Sequence, residues 1–151
     1  MRKYLIFGII IALCVCTTPV AAWENYDPLT QGYWKNHPEN WPSPLEGLES
    51  IVNYEESFFS SGQDWMTVLQ TSPKGGNAYY TLAHQYIPAV LNMYSGEWVP
   101  YDEIEQAGEL FADPENTPAK IGKLKGNDPL RQQFIDLAAY LDDYNNKRLT
   151  E

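Results

Sequence analysis

Cysteine, histidine and basic side chains are scarce in this chain of 151 residues, which has 2 Cys, 2 His and 10 Lys plus Arg. Both cysteines, Cys14 and Cys16, lie in the first 22 residues, so the remainder has no disulfide to rely on and packing must hold it together. With 20 Asp plus Glu the formal charge is -10, and the basic footprint that phosphate neutralisation demands is missing; no nucleic-acid partner is expected. The same sign disfavours anionic lipid surfaces. Apolar runs are short: residues 5–16 make 12 in a row, whereas a spanning helix needs about 20, so no stable membrane insertion is expected. No nucleophile elbow, zinc-protease helix, P-loop or dinucleotide fingerprint occurs. What remains is 44% hydrophobic with 14% aromatics, which excludes a disordered tail and argues for one packed domain.

The first 22 residues read as an address. Arg2 and Lys3 precede the apolar run, and Val20, Ala21 and Ala22 close it, the pattern of a secretory signal peptide cleaved after Ala22. A lipoprotein would need a small residue before its cysteine, where Leu13 and Val15 stand. The expected organisation is therefore 1–22 signal peptide and 23–151 a single helical extracellular domain, secreted or held at the cell envelope. Its 129 residues carry 8 basic and 20 acidic side chains, a charge of -12, and are enough to bury about two-thirds of the unfolded surface. Beyond residue 22 no Asn-x-Ser/Thr acceptor occurs: Asn116 is followed by Thr117 and Pro118.

The expected fold is all-α, with about four principal helices and an aromatic-rich N-terminal loop. Residues 23–44 show no clean period and read as a loop pinned by its rings. Residues 48–59 fit a strand pair or a broken helical turn, so a minor β-hairpin is allowed there. Ser61, with Asp64 three residues on, predicts the N-cap of a short helix ending near Pro73. After the Lys74–Gly76 turn and Asn77, residues 78–94 carry the strongest helical pattern. Tyr79, Leu82, Ala83, Tyr86, Val90 and Met93 share one arc; Thr81, Gln85 and Asn92 share the opposite stripe. Pro88 cannot donate to the His84 carbonyl, which predicts a kink or restart and a free acceptor at His84. Residues 100–112 make a third helix, with solvated acids in its first turn and Ile104, Ala107, Gly108 and Phe111 facing inward. The connector 113–128 holds Lys120, Lys123 and Lys125. Asp128 and Pro129 then cap the last helix, whose Leu130, Phe134, Leu137, Leu141 and Tyr144 share a face.

The densest motif is Thr-Gln-Gly-Tyr-Trp-Lys-Asn-His-Pro-Glu-Asn-Trp-Pro at residues 30–42. Its plain reading is structural: rings that cap the core, and Asn36, His37 and Asn40 hydrogen-bonding an irregular backbone. Its binding reading takes Tyr33, Trp34, Lys35, Asn36, His37 and Trp41 as a ligand surface, the rings stacking on sugar or docking on protein. Two or more rings lying open and coplanar would favour the glycan; full burial would return the motif to structure. His37 and His84 are the chain's histidines. With Glu39 they would suit Zn or Cu if the loop folded over the central helix, yet their spacing matches no metal signature, and no cofactor is expected.

Four stretches, GYWKNHPENWP at 32–42, PKGG at 73–76, LAHQYIPAVLN at 82–92 and LAAYLDDYNN at 137–146, resemble in order an uncharacterised family of exported and cell-surface modules of bacteria and archaea. The family is often attached to repetitive extracellular domains. This chain departs by Pro88, where a small helix-former is the rule, and by Lys147, where a glycine often closes the last helix. The resemblance implies export and a surface role and supplies no catalytic residue. The expected function is thus a non-enzymatic module engaging an extracellular protein or a glycan. The alternatives are a purely structural domain, or a hydrolase of cell-surface polysaccharide or peptide with Glu39, its pKa raised between Trp34 and Trp41, and His37.

Overall fold

Five side chains start helices here. Thr30, Asp64, Asn77, Thr117 and Asp128 each sit in extended backbone and accept from an N–H of the following turn, which a helix otherwise leaves unpaired. In the computed structural model, which describes residues 27–42, 54 and 56–149, these caps open α1 (Gln31–Asn36), α2 (Trp65–Gln70), α3 (Ala78–Tyr94), α5 (Pro118–Ile121) and α6 (Pro129–Asn145). Pro100 stands before α4 (Tyr101–Ala112). Short 3₁₀ turns lie at Pro38–Asn40, Phe59–Ser61 and Lys74–Gly76.

The fold is all-α. Among the described residues there is no strand; in the described part of the segment 48–59, where a hairpin was allowed, one isolated bridge joins Ser57 to Asp64. Residues 48–53 and 55, and the leader assigned to 1–22, lie outside the described residues. No helix among those described is long and apolar enough to cross a membrane.

α3 is the axis, and each of the five other helices among the described residues packs on it. It is apolar almost all round: Tyr79, Leu82, Ala83, Tyr86 and Val90 are buried as the arc predicts, and Ile87, Ala89 and Leu91 are buried on its other sides. It also continues through Pro88 as one helix, so the expected restart does not occur. Beside this turn α6 is attached to α3, since Asn145 donates to the Gln85 carbonyl, one residue on from the His84 carbonyl that Pro88 cannot serve, at 2.9 Å.

Around α3 the core is a lattice of rings. Phe111 of α4 meets Phe58, Tyr79 and Tyr86 edge-on at centroid distances of 4.9, 4.9 and 5.3 Å, the geometry that aromatic quadrupoles favour. Phe58, fully buried, reaches this lattice from the segment that sequence patterning left undecided. Gly108 faces it as well: a Cβ there would stand 3.3 Å from the Tyr86 hydroxyl, so α4 approaches α3 closely at this turn.

Two expectations about helix ends are corrected. The cap of α2 is Asp64, not Ser61; the Asp64 carboxylate accepts from Thr67 N at 2.7 Å and from Thr67 Oγ1 at 2.6 Å, while Ser61 is spent on the backbone of Gln63. The connector 113–128 is not all loop, since Thr117 caps the one-turn α5, whose Ile121 is buried. At the far end Lys147 takes φ of 57°, the left-handed turn that the resemblance gives to glycine. Its ammonium pairs with Asp27, so the last turn is tied to the segment before α1.

Candidate functional site

The motif at residues 30–42 is not the irregular loop its sequence suggests. Thr30 caps α1, and the six-residue helix is too short to display a period. One helical turn is enough to aim Trp34 inward, where it is 2% exposed. Its indole N–H donates to Asn92 Oδ1 of α3 at 3.1 Å. The same oxygen accepts from Leu29 N at 2.9 Å, and Asn92 Nδ2 donates to Leu29 O at 3.0 Å and to Asn145 Oδ1 at 3.4 Å. Asn145 in turn donates to the carbonyl and the side-chain oxygen of Gln85 at 2.9 and 3.2 Å. Both asparagines are fully buried, and every polar group on them has a partner, which is the condition for burying an amide without penalty.

The rest of the motif folds around this anchor. Trp41 Nε1 donates to Trp34 O at 2.9 Å, Asn40 Nδ2 to the Tyr33 hydroxyl at 2.8 Å and Asn36 Nδ2 to Gly32 O at 2.8 Å. Trp41 packs edge-on against Tyr54, whose hydroxyl donates to Pro42 O at 3.0 Å and whose pKa burial pushes up to about 12.

The residues singled out as a ligand surface therefore divide. Trp34 is inside, and Trp41 is half-buried with its N–H spent. Tyr33 and Trp34 stand at 84°, so they form no flat platform. Tyr33 and His37 are half-buried, their ring centroids 4.7 Å apart, with Lys35 and Asn36 exposed beside them. Glu39 is exposed and accepts from His37 Nδ1 at 3.0 Å. Its own backbone N–H and the His37 side chain hold its carboxyl below the ordinary range. This corrects the expectation of a raised pKa between two tryptophans: among the described residues no apolar pocket encloses the exposed Glu39, and a depressed carboxyl is a poor general acid at neutral pH.

His37, Glu39 and His84 do not come together as a metal cluster, and among the described residues no three His, Cys, Asp or Glu side chains do. His84 is half-buried on α3. Burial pulls its pKa below 6.5, the Val68 and Thr71 carbonyls at the end of α2 pull it partly back, and Lys35 lowers it further.

The concave surface lies elsewhere. A groove of about 700 Å³ opens between α4 and α6. Leu110, Leu130 and Leu137 are its half-buried apolar residues, and Tyr140, 39% exposed, lies along it. Glu103, Glu109, Asp113 and Asp136 supply carboxylates, and no Lys, Arg or His lines it. Among the described residues none of these four carboxylates is in an ion pair. Sequence reading missed this site: the acids of α4 were taken as a solvated face, and Leu130 and Leu137 as core. The available signal was the spacing Glu103, Gln106 and Leu110 on one face of α4, with Asp113 at its end, against Leu130, Gln133, Leu137 and Tyr140 on one face of α6.

No family model matches the chain, and neither does any curated protein or solved structure with which it was compared. The resemblance to exported modules thus rests on its four stretches alone.

Two outcomes are expected. Asn92→Ala orphans the Trp34 indole N–H and both backbone groups of Leu29, and should cost roughly 4 kcal/mol in urea unfolding; a loss below about 1 kcal/mol contradicts the clasp. For His84 the folded pKa is depressed, so between 6.5 and that lower value the unfolded chain binds more protons and stability falls as pH falls. His84→Gln should flatten this part of the profile, and an unchanged slope contradicts the assignment.

Proposed function

We propose that the protein is an exported, non-enzymatic module that binds another extracellular protein. The observation that carries this is the α4–α6 groove, an open concavity with an apolar floor and four carboxylates outside any ion pair among the described residues. The aromatic motif supports the same reading by subtraction. Its largest ring and most of its amides are committed to the fold, and the flat pair of open rings that would favour a glycan is not formed by Tyr33 and Trp34. A hydrolase reading lacks its acid, because Glu39 sits in water with a lowered pKa. Export rests on the leader pattern and on the motif resemblance.

Photo-crosslinking in the producing cell tests this. A benzoylphenylalanine at Gln106, in the groove, should yield a defined polypeptide adduct in the medium or envelope fraction, on a chain beginning at Trp23. The same probe at Glu105, exposed and outside the groove lining, should not. Cytosolic protein retaining its first 22 residues, or equal labelling from both positions, contradicts the proposal.

A further inference from the structure

The groove has a length and a chemistry, and together they select an occupant. Along α4 its lining runs from Glu103 to Asp113, and along α6 from Leu130 to Tyr140. Each span is ten residue steps, about 15 Å at 1.5 Å per step. Over that distance a third helix would place about three turns, whereas an extended segment would place four or five residues. Two helices side by side present a furrow into which the i, i+3/i+4 and i+7 side chains of an amphipathic helix fit, and among the described residues no sheet edge is offered to a strand. The half-buried Leu110, Leu130 and Leu137 provide the apolar contact such a face needs.

The flanks decide the charge. Glu103 and Glu109 belong to α4, Asp113 caps its end and Asp136 belongs to α6, so carboxylates come from both walls. Among the described residues no Lys or Arg pairs with them: Lys120 pairs with Glu115, Lys147 with Asp27, Arg148 with Asp142 and Asp143, and Arg131 of α6 donates to the Gly76 carbonyl. Long Lys or Arg stems can cross apolar surface and carry their charge to such a rim. An acidic helix would set like charges against these carboxylates, and a neutral one could offer them amide hydrogen bonds, as Gln132 offers Asp136, but no charge to match theirs.

We propose that the α4–α6 groove receives a cationic amphipathic helix of about three turns from another extracellular protein, its apolar face on Leu110, Leu130 and Leu137 and its Lys or Arg residues against the four carboxylates. This rests on the binding reading above and gives the chemistry of the partner. Charge complementarity would also steer the encounter, making association fast and salt-sensitive.

Fluorescence anisotropy with synthetic probes tests it. The probes are a heptad-patterned Leu/Lys peptide of about 14 residues, its Leu/Glu counterpart, and a Leu/Lys scramble that can form no apolar face. At about 0.15 M salt the patterned Leu/Lys peptide should bind at least tenfold more tightly than either control. The double variant E109K/D136K, on exposed positions, should weaken it at least tenfold, and so should Leu130→Asn. D102K/E105K changes net charge equally, lies on exposed positions of α4 outside the groove lining, and should change affinity less than about twofold. Circular dichroism melting checks that each variant is folded.

Equal binding of the scramble, or equal weakening by D102K/E105K, overturns the proposal in favour of unspecific charge attraction. Self-association seen by light scattering and abolished by E109K/D136K overturns it in favour of a second copy as occupant. A crosslink at Gln106 without Leu/Lys binding overturns the cationic helix and leaves the binding role standing. Patterned Leu/Lys binding without any crosslink supports the groove chemistry and removes the extracellular partner role.

Discussion

Asn92 joins three parts of the chain that lie far apart in sequence. Its side chain holds Leu29 and Trp34, some sixty residues earlier, and Asn145, 53 residues later. A primary amide inside an apolar helix is unfavourable unless each of its lone pairs and hydrogens is used. Here Oδ1 accepts twice and Nδ2 donates twice, so the polar group is silent energetically only while α1 and α6 are both docked. Directional bonds of this kind fix register in a way that greasy contacts do not, and they explain why a six-residue helix with little intrinsic stability holds its place. Asn145 also reaches the Gln85 carbonyl, in the turn of α3 before Pro88.

The long helices were legible in the sequence, since their apolar spacing and caps are local. Asp128 with Pro129 starts α6 and Asn77 starts α3 where the pattern places them. What was not legible depends on distant partners. Asn92 reads as part of a polar stripe until Trp34 and Asn145 are seen to surround it. Trp34 reads as equal to Tyr33 and Trp41 until one turn of helix sends it inward. The choice between Ser61 and Asp64 as cap turned on which side chain finds a free N–H, and Ser61 is already committed to Gln63.

The charge distribution follows the same division. Five of the eight basic residues beyond the leader, Lys74, Lys120, Lys123, Lys125 and Arg131, belong to the Lys74–Gly76 turn, α5 with the loop after it, and the start of α6. Bonds from Arg131 to Gly76 and from Asn77 to Pro118 hold these elements to one another. The groove between α4 and α6 has only carboxylates among its charged residues. Positive charge is thus concentrated on a few contacting elements of a strongly acidic protein, away from the groove lining. The aromatic motif and the groove therefore have separate tasks: the first fastens the fold, and the second faces outward.

The burial of Trp34 against Asn92 is the claim on which this account stands, and amide and indole hydrogen exchange followed by NMR measures it directly. The account predicts that the Trp34 Nε1 proton exchanges as slowly as the backbone amides of α3 around Asn92, showing that the clasp opens only when the core opens. Exchange of that proton at the rate of an exposed indole, with α3 still protected, would contradict it.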